Sequence, residues 1–364
     1  MKKYILSVDW ALVFAVVLLM TVGIFALTSA TSDAKRLAVQ TFSASLGIIS
    51  MLLVAFWDYS AVSSKKNHIY FLCIFFLVIV FPFGIGKEET GALSWIRFGK
   101  IGVQPSEFVK LLFALYLSCE LAEKSEKNTL NNPKELIVFL VKCSIIIGLV
   151  ILQNDTGTAL AFLFMLIVTL FVAGISKKYI AIAIASLLIL LPFAWLFLAD
   201  YQRDRIMVFL NPDADLSDAG YQVYLSKLAL SSGGIFGKGY KNGAVNALSY
   251  LPEKETDFIF SVIGEEAGLI GTLFVIILFL FLIIKLFYIA THTENTQGKI
   301  LTTAICAMFL FHIIENIGMT LGLLPVTGIP LPFLSYGGSS MLSMSFGIGL
   351  VLAVRQKTYT LHHN

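Results

Sequence analysis

The residues able to do chemistry lie in a few polar islands of an otherwise apolar sequence. The densest is 251–260, LPEKETDFIF, where Glu253, Glu255 and Asp257 crowd with Lys254 and Thr256 between a proline and a long apolar run. A carboxylate there can accept a proton from a hydroxyl nucleophile or anchor a metal ion, provided that burial or neighbouring acids raise it from its ordinary pKa of about 3.9. Asp directly before an apolar helix is also a common N-cap, so Asp257 has a structural reading beside the functional one. Glu107 and Lys110 form the second island. Three residues apart at the head of a short apolar run, they share one helix face. Charges within a span are expensive and face a cavity or a partner. The pair is either a self-neutralising prop or a seat in which Lys110, oriented by Glu107, holds an anionic group such as a phosphate.

Two further segments are candidates. In 220–240, GYQVYLSKLALSSGGIFGKGY, the N–H groups of Gly233, Gly234, Gly237 and Gly239 could cradle a phosphate. No GKS or GKT completes a Walker loop, and glycine clusters are turns more often than anion nests. YQVYLSKLAL reads as a short helix at the membrane surface. In 316–340, NIGMTLGLLPVTGIPLPFLSYGGSS, three prolines (Pro325, Pro330, Pro332) must break any helix. The small residues from Ser335 to Ser340 then open the last apolar run, where they can cap a helix, bond an oxyanion or allow close packing. Glu315 and Asn316 fall in the middle of an apolar run, where a lone acid is costly. His312, one turn earlier, reads as a packed residue, and Asp155 in QNDTGT as the cap of the next helix.

These islands need a scaffold. Of 364 residues, 57% are hydrophobic and 13% charged, about half the charge usual in soluble domains. Mean hydropathy is +0.85. The chain is predicted to be all-α and polytopic. With about 20 apolar residues per span, ten runs qualify: 10–28, 37–57, 69–85, 108–121, 136–152, 158–174, 179–199, 258–290, 300–324 and 332–354. The fourth is short and carries Lys110. The eighth is too long for one simple span, and its first turns, with Glu265, Glu266 and Gly268, are expected at the outer surface or in a cavity. A net charge of +3 spread over many loops gives no reason to expect nucleic acid. Cys73, Cys119, Cys143 and Cys306 have no metal-ligand spacing and imply no disulfide framework. MKKYILSVDW lacks a small-residue cleavage site and reads as a cytoplasmic lead-in to the first span.

With the N-terminus inside, the inner segments carry Lys2, Lys3, Lys65, Lys66, Lys124, Lys127, Lys134, Lys177, Lys178, Lys285, Lys299, Arg355 and Lys357. The short outer loops carry Lys35, Arg36, Lys87, Arg97 and Lys100. This bias predicts both termini in the cytoplasm and 201–257 outside. Gly and Pro gather on the outer side as well, which predicts a cavity opening outward, since irregular backbone at membrane depth must line protein or water.

Taken in order, IGVQPSEFVK, QNDTGTAL, NPDADLSDAGYQVYLSKLALSSGGIFGKGY, LPEKETDFIF and NIGM…GLLPVTGIPLPFLSYGGSS resemble the SEDS family (shape, elongation, division and sporulation) of bacterial cell-wall polymerases. The resemblance covers essentially the whole chain. NPDAD before GYQ, GKGYKNG and the short termini are most similar to the elongation branch, with the division and sporulation branches as alternatives. The resemblance implies one membrane domain over 1–364, with a long extracytoplasmic loop, 201–257, ending at the catalytic acid. It implies a multi-pass peptidoglycan glycosyltransferase of the bacterial cytoplasmic membrane, acting on lipid II in elongation and shape maintenance. Its implied partners are a class B penicillin-binding protein and the elongation machinery. By motif, Asp257 falls on the family's essential acid, and Glu107 and Lys110 on its paired acid and lysine. The supporting or substrate-binding set is Arg36, Arg203, Gln222, Ser231, Gly233, Gly234, Glu253, Glu255, Thr256, Asn316, Ser335, Tyr336, Gly337 and Gly338. Glu255 stands where many relatives have His, which adds negative charge near Asp257, and Asn154 stands where relatives often have Pro. Asp257 and Glu255 are the candidate ligands of a divalent cation (Mg or Mn). No organic cofactor is expected.

Three functions fit the sequence. In the first, Asp257 takes the proton of the 4-hydroxyl of the lipid II acceptor. That hydroxyl attacks C1 of a donor glycan linked to undecaprenyl pyrophosphate, and Lys110, Arg36, Arg203 or a metal neutralises the leaving pyrophosphate. The second is a lipid II flippase, since broken helices and intramembrane charge are transporter traits, although no repeated halves are visible. The third is a non-catalytic scaffold for a transpeptidase.

Overall fold

A computed structural model of the chain describes residues 8–86, 92–98, 101–183, 185–186, 203, 207, 209, 219–243, 251 and 253–363. The molecule is an all-α polytopic membrane protein. Among the described residues, eight helical stretches are long and apolar enough to cross a bilayer. The helices are α1 (Trp10–Ala30), α2 (Ala34–Val54), α3 (Lys66–Val78), α4 (Val80–Phe83), α5 (Pro105–Glu126), α6 (Pro133–Leu152), α7 (Thr156–Ala173), α8 (Ala219–Ser232), α9 (Ile259–Thr291), α10 (Thr296–Thr320) and α11 (Gly338–His363). A 3₁₀ turn, Tyr59–Lys65, precedes α3, and a small antiparallel sheet of Gly84–Ile85, Trp95–Phe98 and Ile101–Val103 leads into α5.

Local chemistry sets five of the described helix starts. Asp9, Asp33, Asn132, Asp155 and Asn295 each accept a backbone N–H in the first turn of the following helix. Such caps satisfy donors that the helix itself cannot. Asp155 is thus the cap that the sequence predicts.

Three expected runs are corrected and one lies elsewhere. Run 108–121 is only the middle of α5, a 22-residue helix about 33 Å long at 1.5 Å per residue. It falls outside the apolar spans because Glu107, Lys110, Glu120 and Lys124 lie along it. These are buried among α3, α7, α10 and α11 and do not meet lipid. Run 258–290 is two helical pieces joined at Gly268, whose φ of 65° and ψ of −160° break the helix. Run 332–354 begins at Gly338, because Pro330, Pro332 and the left-handed Phe333 (φ 65°) hold the preceding residues out of helix. Run 179–199 lies largely outside the described residues, as do 210–218, including NPDAD.

One apolar core runs through the bundle, with Phe113, Tyr116, Phe139, Phe162 and Phe309 at its centre. The outer flanks are apolar too: Phe14, Phe42, Phe71 and Phe171 all stand well exposed to the surroundings. Such faces are stable against lipid tails and not in water. Close helix approach relies on small residues: a methyl on Gly349 of α11 would lie 2.8 Å from the Met51 carbonyl oxygen of α2. At the opposite end from residue 257, Lys66 bridges to Glu120 (2.8 Å) and Glu123, and Lys124 to Glu135 (2.6 Å), tying α3, α5 and α6 together.

Candidate active site

Asp257 ends a tight turn. Glu253 adopts φ 49°, and its carbonyl accepts the N–H groups of Thr256 (3.2 Å), Asp257 (2.9 Å) and Phe258 (3.3 Å). Thr256 Oγ1 also donates to Glu253 Oε2 at 3.0 Å. The helix cap falls on Phe258, which makes no side-chain cap bond. The capping reading of Asp257 is therefore corrected: the half-buried carboxylate is one residue too early to be the N-cap of α9.

The segment between α10 and α11 forms the wall beside it. A methyl on Gly328 would lie 3.5 Å from Asp257 Oδ2, and Gly328 has φ +74°. Asn316 Nδ2 donates to the carbonyls of Asp257 (2.9 Å) and Ile329 (2.8 Å), so one buried amide holds the acid and its wall at a fixed separation. Tyr336 N–H donates to the Glu255 carbonyl at 2.8 Å. The Glu255 carboxylate is bound by Arg36, whose guanidinium lies 5.9 Å from the centre of the Tyr336 ring. Ser335 Oγ accepts from Leu331 N–H (2.8 Å), and Gln40 grips both sides of Tyr336: its Nε2 donates to Ser335 O (2.9 Å) and its Oε1 accepts from Gly337 N–H (3.1 Å). Burial pushes the Tyr336 phenol up and draws the Lys254 ammonium down, the latter against the pull of Glu255, Glu265 and Glu266.

Glu107 and Lys110 sit deeper. Lys110 Nζ lies 2.7 Å from Glu107 Oε1 and 2.8 Å from His312 Nε2, and Ser343 Oγ donates to Glu107 Oε2 at 2.9 Å. Lys110 is 0% exposed, so in this conformation its ammonium does not reach a surface where a phosphate would lie. The prop reading describes the pair as it stands.

The glycine segment is engaged elsewhere. Gly237 N–H donates to Gly233 O (2.8 Å), and Lys238 and Gly239 N–H donate to the carbonyls of Glu265 and Glu266 (both 3.0 Å). The strip thus docks on the Gly268 kink, and all four candidate phosphate donors are already taken by carbonyls, Gly233 and Gly234 N–H by those of Leu230 and Ser231 (both 3.4 Å). Glu265 and Glu266 are buried at the kink, bound by Lys238 and Ser29 respectively, so of the two expected places, the outer surface or a protein-lined interior, the structure excludes the surface. Gln222 and Ser231 lie on α8, which packs on α9 and α10. Gly338 starts α11 against Ser43. Arg203 is half-buried.

The structure therefore gathers Asp257, Glu253, Glu255, Thr256, Arg36, Asn316, Ser335, Tyr336 and Gly337 around one corner. Sequence reasoning missed Gln40, whose signal was a lone amide inside run 37–57, and Gly328. The expected metal pairing of Asp257 with Glu255 does not fit: the Glu255 carboxylate is turned to Arg36, and among the described residues no three of His, Cys, Asp and Glu gather as ligands. A half-buried carboxylate with a pinned backbone, two residues from the Glu255 carboxylate that a half-exposed guanidinium holds, can accept a proton while a cation stabilises an anion nearby.

The family model described as cell cycle protein, which groups FtsW, RodA and SpoVE, matches residues 2–360. The chain belongs to this family. It is 34% identical to the peptidoglycan glycosyltransferase MrdB of Escherichia coli (strain K12), across 85% of this chain and 82% of that one. A chain from a structure described as a peptidoglycan synthase complex coordinating polymerization and crosslinking aligns with a TM-score of 0.83 and 29% identity, covering 97% of this chain and 98% of that one. The crystal structure of the rod shape determining protein RodA of Thermus thermophilus aligns with a TM-score of 0.72 and 26% identity, over 97% and 98% of the two chains. The FtsW, RodA and SpoVE match thus spans the α5 head, the 251–260 corner and the 316–340 wall alike.

Proposed function

We infer that the chain is a peptidoglycan glycosyltransferase that polymerises lipid II into glycan strands during elongation and shape maintenance. The observation that carries this reading is the Asp257 corner: an acid that no longer serves as a helix cap, fixed through its carbonyl by Asn316 and walled by Gly328. The acceptor 4-hydroxyl gives its proton to Asp257 as its oxygen bonds to C1 of the donor sugar, and the bond from C1 to the pyrophosphate oxygen breaks with inversion. A single displacement needs one base, and pyrophosphate leaves without an acid. Arg36, half exposed at the same corner, is the candidate to neutralise that leaving group. The apolar outer flanks of the helices suit the isoprenoid tails.

The distribution of Lys and Arg supports cytoplasmic termini in the bacterial inner membrane and an extracytoplasmic corner. One membrane unit over 1–364, with 201–257 as its long outer loop, fits that orientation. The likeness to a chain of a complex that couples polymerization to crosslinking supports a class B penicillin-binding protein as partner.

The test is polymerisation of labelled lipid II by the purified chain with its partner. Asp257→Ala is expected to lose at least about 100-fold in rate, in the range of a missing general base. Polymer made at the wild-type rate by that variant sinks the assignment, and transbilayer movement of lipid II without polymer supports a flippase instead.

A further inference from the structure

We propose that His312 is a positioning residue of the transfer reaction, coupling the buried Glu107–Lys110 pair to the backbone segment that walls Asp257. The proposal rests on the reading of Asp257 as the base.

The hydrogen bonds fix the state of the ring. An ammonium only donates, so His312 Nε2, 2.8 Å from Lys110 Nζ, holds the lone pair. A carbonyl only accepts, so His312 Nδ1, 3.2 Å from Pro330 O, carries the hydrogen. The ring is neutral, in one tautomer and one orientation, with both nitrogens occupied. Asn316 lies one turn further along α10, and its amide takes the carbonyls of Ile329 and Asp257. His312 and Asn316 therefore hold adjacent carbonyls of one segment, Pro330 and Ile329, while Asn316 also holds the acid.

Behind the ring, the chain of contacts continues through Lys110 and Glu107 to Ser343 of α11. Exposures of 1% for His312, 0% for Lys110, 2% for Glu107 and 0% for Ser343 put the whole chain out of contact with solvent. Charge-assisted bonds in such a setting are strong and hold their geometry. This gives the fully buried lysine a use that needs no contact with phosphate. It fixes the imidazole, the imidazole fixes Pro330, and the segment 328–330 sets the space beside the Asp257 carboxylate.

The test combines kinetics with a direct reading of the tautomer. In the lipid II assay, His312→Phe keeps ring bulk and removes both nitrogens. It is expected to lower kcat about 30-fold, as for misplacement of a reacting group, with KM within about twofold of wild type. Lys110→Met is expected to do the same, and the double variant to be no slower than the slower single one, because both cut one chain. His312→Gln, which keeps an amide able to donate or accept, is expected to recover part of the loss. In ¹⁵N-histidine-labelled wild-type protein, the signal missing from His312→Gln is expected to show the neutral, Nδ1-protonated pattern. Wild-type kcat in folded His312→Phe, multiplicative losses in the double variant, or an Nε2-protonated or doubly protonated ring overturns the proposal. If His312→Phe does not fold, His312→Gln and the tautomer decide. Asp257→Ala in the same assay tests the underlying reading separately.

Discussion

Asn316 is where the acid, its wall and the core meet, and its removal separates their contributions. Asn316→Ala leaves the carbonyls of Asp257 and Ile329 without the amide that now serves both. An unsatisfied buried polar group costs about 1–3 kcal/mol, so the variant should unfold at lower temperature in detergent. Turnover of lipid II should fall about tenfold or more through misplacement of the base. Wild-type turnover with a lowered midpoint would leave Asn316 a structural role alone. Arg36 behaves differently: its guanidinium is half exposed, while the Glu255 carboxylate that it holds is only 12% exposed. Arg36→Ala leaves that carboxylate without its cation, so the unfolding midpoint should fall, by less than the roughly 3–5 kcal/mol of a fully buried pair broken on one side, and turnover should be reduced, measured on the same preparations. At this scale the sequence exposed the charged residues, because charge in an apolar chain is visible without coordinates. It did not expose Gly328, Gln40 or the pairing of His312. Their partners lie 71 residues away for Gly328 and Asp257, 295 for Gln40 and Ser335, and 202 for His312 and Lys110, beyond the reach of helix periodicity.

One helix end was read from the sequence, Asp155 before α7; Asp9, Asp33, Asn132 and Asn295 cap in the same local way, one residue before their helices, but hydropathy runs alone do not mark them. The break in α9 was legible only as excess length. Its cause is the docking of 233–240, where a methyl on Gly268 would lie 2.3 Å from Gly237 N, and a methyl on Gly237 2.1 Å from the Glu266 carbonyl oxygen. The φ of 65° and ψ of −160° at Gly268 also lie in a region essentially reserved for glycine, which costs other residues about 1–3 kcal/mol before any clash. Gly148, in the interior of α6, is the contrast: a methyl there would meet nothing within 4 Å. The two glycines should therefore respond in opposite directions. Gly268→Ala should lower the unfolding midpoint and loosen the strip, raising proteolysis near Lys238. Gly148→Ala should be neutral or stabilising by up to about 1 kcal/mol, the helix cost of glycine. Equal effects of the two would remove the argument that the kink is held by docking.

At the scale of the molecule, composition alone sufficed for a polytopic helical protein, because 57% apolar residues in 364 leave no soluble solution. The place of α5 was not legible. Its Glu107, Lys110, Glu120 and Lys124 made a weak span by the lipid criterion, yet they are buried because neighbouring helices, and not lipid, surround them. The arrangement puts the two polar systems at opposite ends. Arg36, Glu255 and Tyr336 lie at one end, while Lys66, Glu120, Glu123 and the Lys357–Asp58 pair lie at the other. Which end faces the cytoplasm is a matter of charge: the lysines of the second end must stay inside if the positive-inside bias governs insertion. Ser32 and Ser64 are exposed near the first and second ends, and the native cysteines are buried or half-buried. With an impermeant thiol reagent on intact spheroplasts, Ser32→Cys should label and Ser64→Cys should label only after lysis. The reverse pattern would put the Asp257 corner in the cytoplasm, where a lipid-linked sugar already moved to the outer leaflet would never meet it.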